Sequence, residues 1–190
     1  MRSTLSDLLA DGRTLLADGA TGTNYFAAGL GSGDPPEFWT VDHPDRVQDL
    51  HRRFVEAGAD IILTNTFGCN PQRLKLHKAE ARTYELARRA AELAREVADA
   101  APRPVVVAGS VGPTGELFEP LGALTHEVAV ESFREQIRGL RDGGADVAWI
   151  ETMSAVEEVH AAATAAIAEG MPYVATCSFD TAGRTMMGLL

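Results

Sequence analysis

The chain has 190 residues, 45% of them hydrophobic and 23% charged, which suits one soluble domain with a real core. A formal net charge of −10 argues against nucleic acid as a partner, and no apolar run approaches the roughly 20 residues of a membrane span. The N-terminus has no apolar signal region, and two cysteines, Cys69 and Cys177, give no disulfide framework, so the cytoplasm is the expected compartment.

Leu15-Leu16-Ala17 is an apolar run that ends in Asp18, with Gly19 and Gly22 close behind. This is the pattern of a buried parallel strand opening into a loop. The two glycines are expected to adopt backbone angles that let chain or ligand approach Asp18. A Gly- and Pro-rich passage from Gly29 to Pro36 leads into Glu37-Phe38-Trp39-Thr40, a long connection without a period, and such loops often carry function. Pro44 and Asp45 open a helix with Val47, Leu50, Phe54 and Val55 as its buried stripe and Gly58 as its stop. Asp60 to Phe67 reads as the second strand, turning polar at Asn65-Thr66. A long helix is expected from Leu74 to Ala100, with Tyr84, Ala87, Ala91, Ala94 and Ala98 on its inner face, stopped by Pro102 and Pro104.

Val105 to Ser110 is the third strand, followed by the loop Val111-Gly112-Pro113-Thr114-Gly115. Thr125 caps the next helix, with Val130, Phe133, Ile137 and Leu140 inward and Gly143-Gly144 at its end. Asp146 to Thr152 is the fourth strand. Ser154-Ala155-Val156-Glu157 reads as a capping box opening a fourth helix, lined by Val156, Val159, Ala163 and Ile167 and ended by Gly170. Tyr173 to Phe179 is the fifth strand.

The helix-to-strand joints repeat: Glu56-Ala57-Gly58-Ala59-Asp60 matches Asp142-Gly143-Gly144-Ala145-Asp146, and Ala168-Glu169-Gly170-Met171-Pro172 is a looser copy. Strands alternating with helices across short joints imply right-handed βαβ units and a parallel sheet. The polar strand ends at Asp18, Asn65-Thr66, Ser110, Glu151 and Ser178 then share one rim, which in a (β/α)8 barrel is the active-site face. A full barrel takes roughly 250 residues. The expected fold is therefore α/β, of the (β/α)8 TIM-barrel type, truncated to its first five strands and four helices, with residues 1–190 as a single domain.

The chain resembles the homocysteine S-methyltransferase family, with the bacterial branch of the betaine–homocysteine methyltransferases nearest. The resemblance rests on Asp18-Gly19-Ala20-Thr21-Gly22, Gly58-Ala59-Asp60 through Asn65-Thr66-Phe67, Gly109-Ser110-Val111-Gly112-Pro113, Ile150-Glu151-Thr152 and Phe179-Asp180-Thr181-Ala182-Gly183-Arg184-Thr185-Met186. It implies transfer of a methyl group from a donor to the homocysteine thiol, giving methionine. It also implies a zinc ion that holds the sulfur as thiolate, on three cysteines placed after the sixth strand and near the eighth. Neither position occurs before Leu190, so this chain alone is expected to lack the zinc ligands and to be inactive. Cys69 and Cys177 read as core or loop residues rather than a metal pair.

The residues expected to bind substrate are Asp18, Gly19, Asn65, Thr66, Ser110, Val111 and Glu151. Two carboxylates, Asp18 and Glu151, suit the homocysteine ammonium. The Ser110-Val111 backbone N–H groups suit its carboxylate. The donor stays open between betaine, S-methylmethionine, another methyl-onium compound and a corrinoid protein. In animal betaine enzymes aromatic rings follow the positions of Phe67 and Glu151, where this chain has Gly68 and Thr152; Trp39 and Tyr25 are the rings that remain. The five histidines are assigned no chemistry. A phosphate-binding barrel is the weaker reading, because no GxxxxGK[ST] run occurs. An alternative of another class is a non-enzymatic half-barrel that binds an amino acid or assembles with a partner chain. Open edges at the first and fifth strands imply an oligomer.

Overall fold

The structure, a computed structural model, describes residues 2–180 and 182–189; Thr181, inside the Phe179–Met186 motif, lies outside them. Four strands, β1 (Ile61–Leu63), β2 (Val106–Val111), β3 (Val147–Met153) and β4 (Tyr173–Cys177), form one parallel sheet in chain order. The expected first strand is reduced to a bridge between Ala17 and Ile61. Side chains complete its pairing: Leu16 N–H donates to Asp60 Oδ2 at 3.0 Å and Leu63 N–H to Asp18 Oδ2 at 2.8 Å. A regular ladder would use carbonyls at those two places.

Between the strands run α4 (Pro44–Glu56), α6 (Thr83–Ala100), α7 (His126–Asp142) and α8 (Val156–Ala168). Three short helices come before them, α1 (Leu5–Ala10), α2 (Gly22–Ala27) and α3 (Trp39–Asp42), with α5 (Pro71–Leu74) ahead of α6. Alternate strand residues sort onto two faces. Ile62, Val107, Val111, Ala148 and Ile150 pack in the large core with the helices. Ile61, Val106, Ala108 and Val147 face the other way, where Leu8 of α1 covers them.

The long helix expected from Leu74 begins only at Thr83. Asn70 caps the separate turn of α5 through Arg73 N–H, and Lys78, at φ 56, breaks the path before α6. The face expected for α8 is also corrected. Val156 and Ile167 are exposed, while Ala161, Ala162, Ala165 and Ala166 are buried. An alanine-rich helix offers more than one apolar stripe, and the smallest side chains allow the closest approach to α7 and β3. The helix starts one residue later than a Ser154 cap requires, so Ala155 is the N-cap and no side chain caps it. Thr125 does cap α7, accepting from Val128 N–H.

The repeated joints have a physical role. Gly58 and Gly144 sit at φ +106 and +95, where a side chain would be strained, and turn each helix into its strand. The aspartate that follows then ties neighbouring strands together. Asp60 accepts from Leu16 N–H and pairs with Arg13 at 2.9 Å; Asp146 accepts from Val107 N–H and pairs with Arg95 at 3.1 Å and Arg2 at 2.9 Å. No helix among the described residues is long and apolar enough to cross a membrane.

Candidate functional site

At the C-terminal ends of the strands lies a cavity of about 710 Å³. Asp18, Gly19, Asn65, Thr66, Ser110 and Glu151 all border it, so six of the seven residues expected to bind substrate converge. Val111 does not: it is fully buried on the helix-facing side of β2. Gly19 and Gly22 are absent from the positive-φ positions, so their expected backbone role does not apply. At position 19 the constraint is space, since a Cβ there would lie 3.2 Å from the Phe54 ring.

Strand pairing brings the acids together. Ser110 and Glu151 end β2 and β3 on the same face, with Trp149 beside Ser110 in the register. Ser110 Oγ donates to Glu151 Oε1 at 2.5 Å. Burial raises Glu151 above the usual carboxylate range, and this hydrogen bond opposes the rise. Burial pushes Asp18 up to about 7; the Leu63 N–H bond opposes that, and the Glu151 charge adds to it. Thr152 follows Glu151 at φ 63, beside a register irregularity between β3 and β4. Left-handed backbone at a β-branched residue is strained, and strain of this kind collects at sites.

The remaining polar strand ends are structural. Thr66 Oγ1 donates to Ser110 O at 2.7 Å, and Asn65 Nδ2 donates to Pro36 O at 2.6 Å, tying the first long loop down. Ser110 N–H donates to Thr64 Oγ1 at 3.0 Å, so it is spent within the wall and not free for a ligand carboxylate. Gln136 reaches in from α7 and donates to Thr66 O and Ser110 O, fixing two strand ends from outside.

Sequence reasoning missed four ionisable residues at the cavity: Asp34, Glu37, Arg73 and His77. Glu37 comes from a loop without periodicity, and its place directly after Pro35-Pro36 is the signal the sequence offers. Glu158 is a further buried acid, but it accepts from Thr114 N–H and Oγ1 at 2.7 and 2.6 Å and holds the loop after β2. Trp39 and Tyr25 do not border the cavity. Their rings meet at a tilt of 51°, centroids 5.2 Å apart, in a separate core with Leu30, Val47, Leu50 and Leu93, and Arg46 lies over Trp39.

The residues present do not fit zinc. Cys69 is buried with its thiol directed at Thr83 O, and burial raises it well above the ordinary thiol range; Cys177 is exposed on β4. No group of three His, Cys, Asp or Glu side chains suited to a metal occurs among the described residues.

A parallel β/α wall with an acid-lined cavity at the carboxyl ends of its strands is the arrangement of the (β/α)8-barrel fold at its site-bearing face. The chain belongs to the homocysteine S-methyltransferase family, whose model matches residues 15–189. It is similar to methionine synthase of Mycobacterium tuberculosis, 33% identical over 199 aligned residues, which cover 97% of this chain and 16% of that protein. Methionine synthase of Mycobacterium leprae is 32% identical, covering 93% of this chain and again 16% of that protein. The chain thus spans 16% of the length of these curated relatives. Among solved structures it resembles the homocysteine methyltransferase MmuM from Escherichia coli in its oxidized form, with a TM-score of 0.80 and 25% identity, over 95% of this chain and 68% of that one. The metallated form of MmuM superposes with a TM-score of 0.81 at 24% identity, a likeness of fold.

Proposed function

We propose that the chain forms the homocysteine-binding wall of a homocysteine S-methyltransferase, with Asp18 and Glu151 as receptors for the substrate ammonium. The observation that carries this is their convergence on one cavity, both half-buried and neither ion-paired to Lys, Arg or His among the described residues. Buried carboxylates without a counter-charge are costly, and an ammonium between them relieves both. Asn65, Thr66 and Gly19 shape the walls around it. In the reaction the homocysteine sulfur attacks the donor methyl carbon. The new S–C bond forms as the methyl–donor bond breaks, its electron pair leaves with the donor, and the thiol proton passes to solvent. A free thiol is mostly protonated at neutral pH, its pKa being about 8.5, so the sulfur needs activation. No step is assigned to Cys69 or Cys177. The chain by itself is expected to carry no stoichiometric zinc and to transfer no methyl group, the donor of the complete reaction being betaine, S-methylmethionine or another methyl-onium compound.

The test is calorimetric titration with homocysteine and with 4-mercaptobutanoate, which keeps the thiol and carboxylate but lacks the ammonium. Binding of homocysteine alone supports the reading. Equal binding of both overturns it.

A further inference from the structure

Glu37 stands apart from the Asp18–Glu151 pair. It lies on the 3-10 turn Pro36–Phe38, is 6% exposed, and still borders the cavity. Its Oε1 accepts Gly68 N–H at 2.7 Å, and a Cβ at position 68 would lie 2.8 Å from that same oxygen. A side chain at position 68 would press on that oxygen and shift the carboxylate. The Asn65 bond to Pro36 O holds the turn from the adjoining residue. Burial raises Glu37, and the charges of Arg73 and His77 oppose the rise, yet neither forms an ion pair with it. Glu37 reaches the cavity from the first long loop, on the side lined by Arg73 and His77, whereas Asp18 and Glu151 border it from strand ends, so the cavity has a second acidic pole on its loop side. Behind the wall, the hydroxyl of Tyr25 is buried without a hydrogen-bond partner among the described residues, and burial first, then the charges of Asp18 and Glu37, raise it.

A seated, buried carboxylate facing a cavity is a receptor for positive charge. A cation carrying N–H groups is served best by the Asp18–Glu151 pair, where two carboxylates can accept from it. A methylated cation has no N–H to donate, so it gains from charge and shape alone, and the apolar rim of Phe67, Leu74 and Leu76 next to Arg73 and His77 suits its methyl groups. We propose that Glu37 recognises the cationic head of the methyl donor, a quaternary ammonium or a sulfonium. This rests on the reading of Asp18 and Glu151 as the homocysteine receptor, because it gives the other pole to the second substrate.

The probes are glycine betaine, its sulfonium counterpart dimethylsulfonioacetate, and 3,3-dimethylbutanoate, which has betaine's shape with carbon in place of nitrogen. Each is titrated calorimetrically into the 190-residue chain. At least one onium probe should bind about tenfold or more tighter than the carbon isostere. Glu37→Gln should remove that preference and leave homocysteine affinity within about twofold. Gly68→Ala, which crowds Oε1 without touching its charge, should weaken the onium probe in the same direction. Failure of both onium probes, equal binding of the isostere, or an unchanged preference in Glu37→Gln would overturn the proposal. Loss of homocysteine binding in Asp18 or Glu151 variants bears on the first receptor alone, so the two readings fail separately.

Discussion

Ser110 Oγ donates to Glu151 Oε1 across the ends of two neighbouring strands, at 2.5 Å. The serine therefore opposes the rise that burial imposes on the Glu151 carboxyl. Ser110→Ala should raise the Glu151 pKa further and weaken homocysteine binding by about 1.5–3 kcal/mol, the scale of a hydrogen bond to a charged group. Carboxyl NMR titration beside calorimetry measures both. An unmoved Glu151 titration would show that the hydroxyl does not tune it.

Asp18 gives opposite pH signatures in stability and in binding. Its ordinary value of 3.8 rises to about 7 in the fold. Between those limits the folded chain holds a proton that the unfolded chain releases, so stability falls as pH rises through the window. Asp18→Asn should therefore stabilise the ligand-free chain above pH 7 by on the order of 1–3 kcal/mol. Homocysteine affinity should rise with pH through neutrality as the carboxylate forms, and this rise should vanish in the variant. Urea unfolding and calorimetry across pH 5 to 8.5 check both; a variant no more stable than the parent at pH 8.5 would count against a buried, unpaired Asp18.

Much of this arrangement was legible in the sequence because it lies in regular elements. Polar residues ending apolar strands placed Asp18, Ser110 and Glu151 on one rim, and parallel pairing needed only the spacing of helices and glycines. Contributions from irregular chain were not legible. Glu37 and Gly68 meet through a tertiary contact between a loop and a strand end, and no period marks either. The face of α8 was misread because alanines flank its larger residues on every side. The first strand is cut to a bridge in which backbone bonds between Leu16, Asp18, Asp60 and Ile61 are supplemented by aspartate side chains, whose direction no pattern reveals.

His51 on α4 carries an acid liability remote from the cavity. It is 2% exposed, and neither ring nitrogen has a hydrogen-bond partner among the described residues. Burial first, and then the Arg52 charge, lowers it from 6.5 to about 4. In that window the unfolded chain takes up a proton that the folded chain refuses, so stability is lost as pH falls from 6.5 towards 4. His51→Leu should flatten this loss by on the order of 2–3 kcal/mol between pH 7 and 4.5. Equal acid slopes for parent and variant in urea melts would contradict it.

The open side of β4 should make the chain associate. Among the described residues β4 pairs with β3 alone, and Tyr173, Phe179, Met186 and Met187 are exposed nearby. Unpaired strand edges beside apolar surface recruit other chains. Light scattering should show concentration-dependent oligomers. A monodisperse monomer at high concentration would count against this.

The claim that Asp18 and Glu151 grip the homocysteine ammonium is tested most directly by calorimetric titration of Glu151→Gln with homocysteine. The substitution keeps the size of the side chain and its capacity to accept from Ser110, and removes only the charge. Affinity should fall by about 1.5–3 kcal/mol, with circular dichroism unchanged. Unchanged homocysteine affinity in Glu151→Gln would place the substrate's ammonium elsewhere and contradict the account.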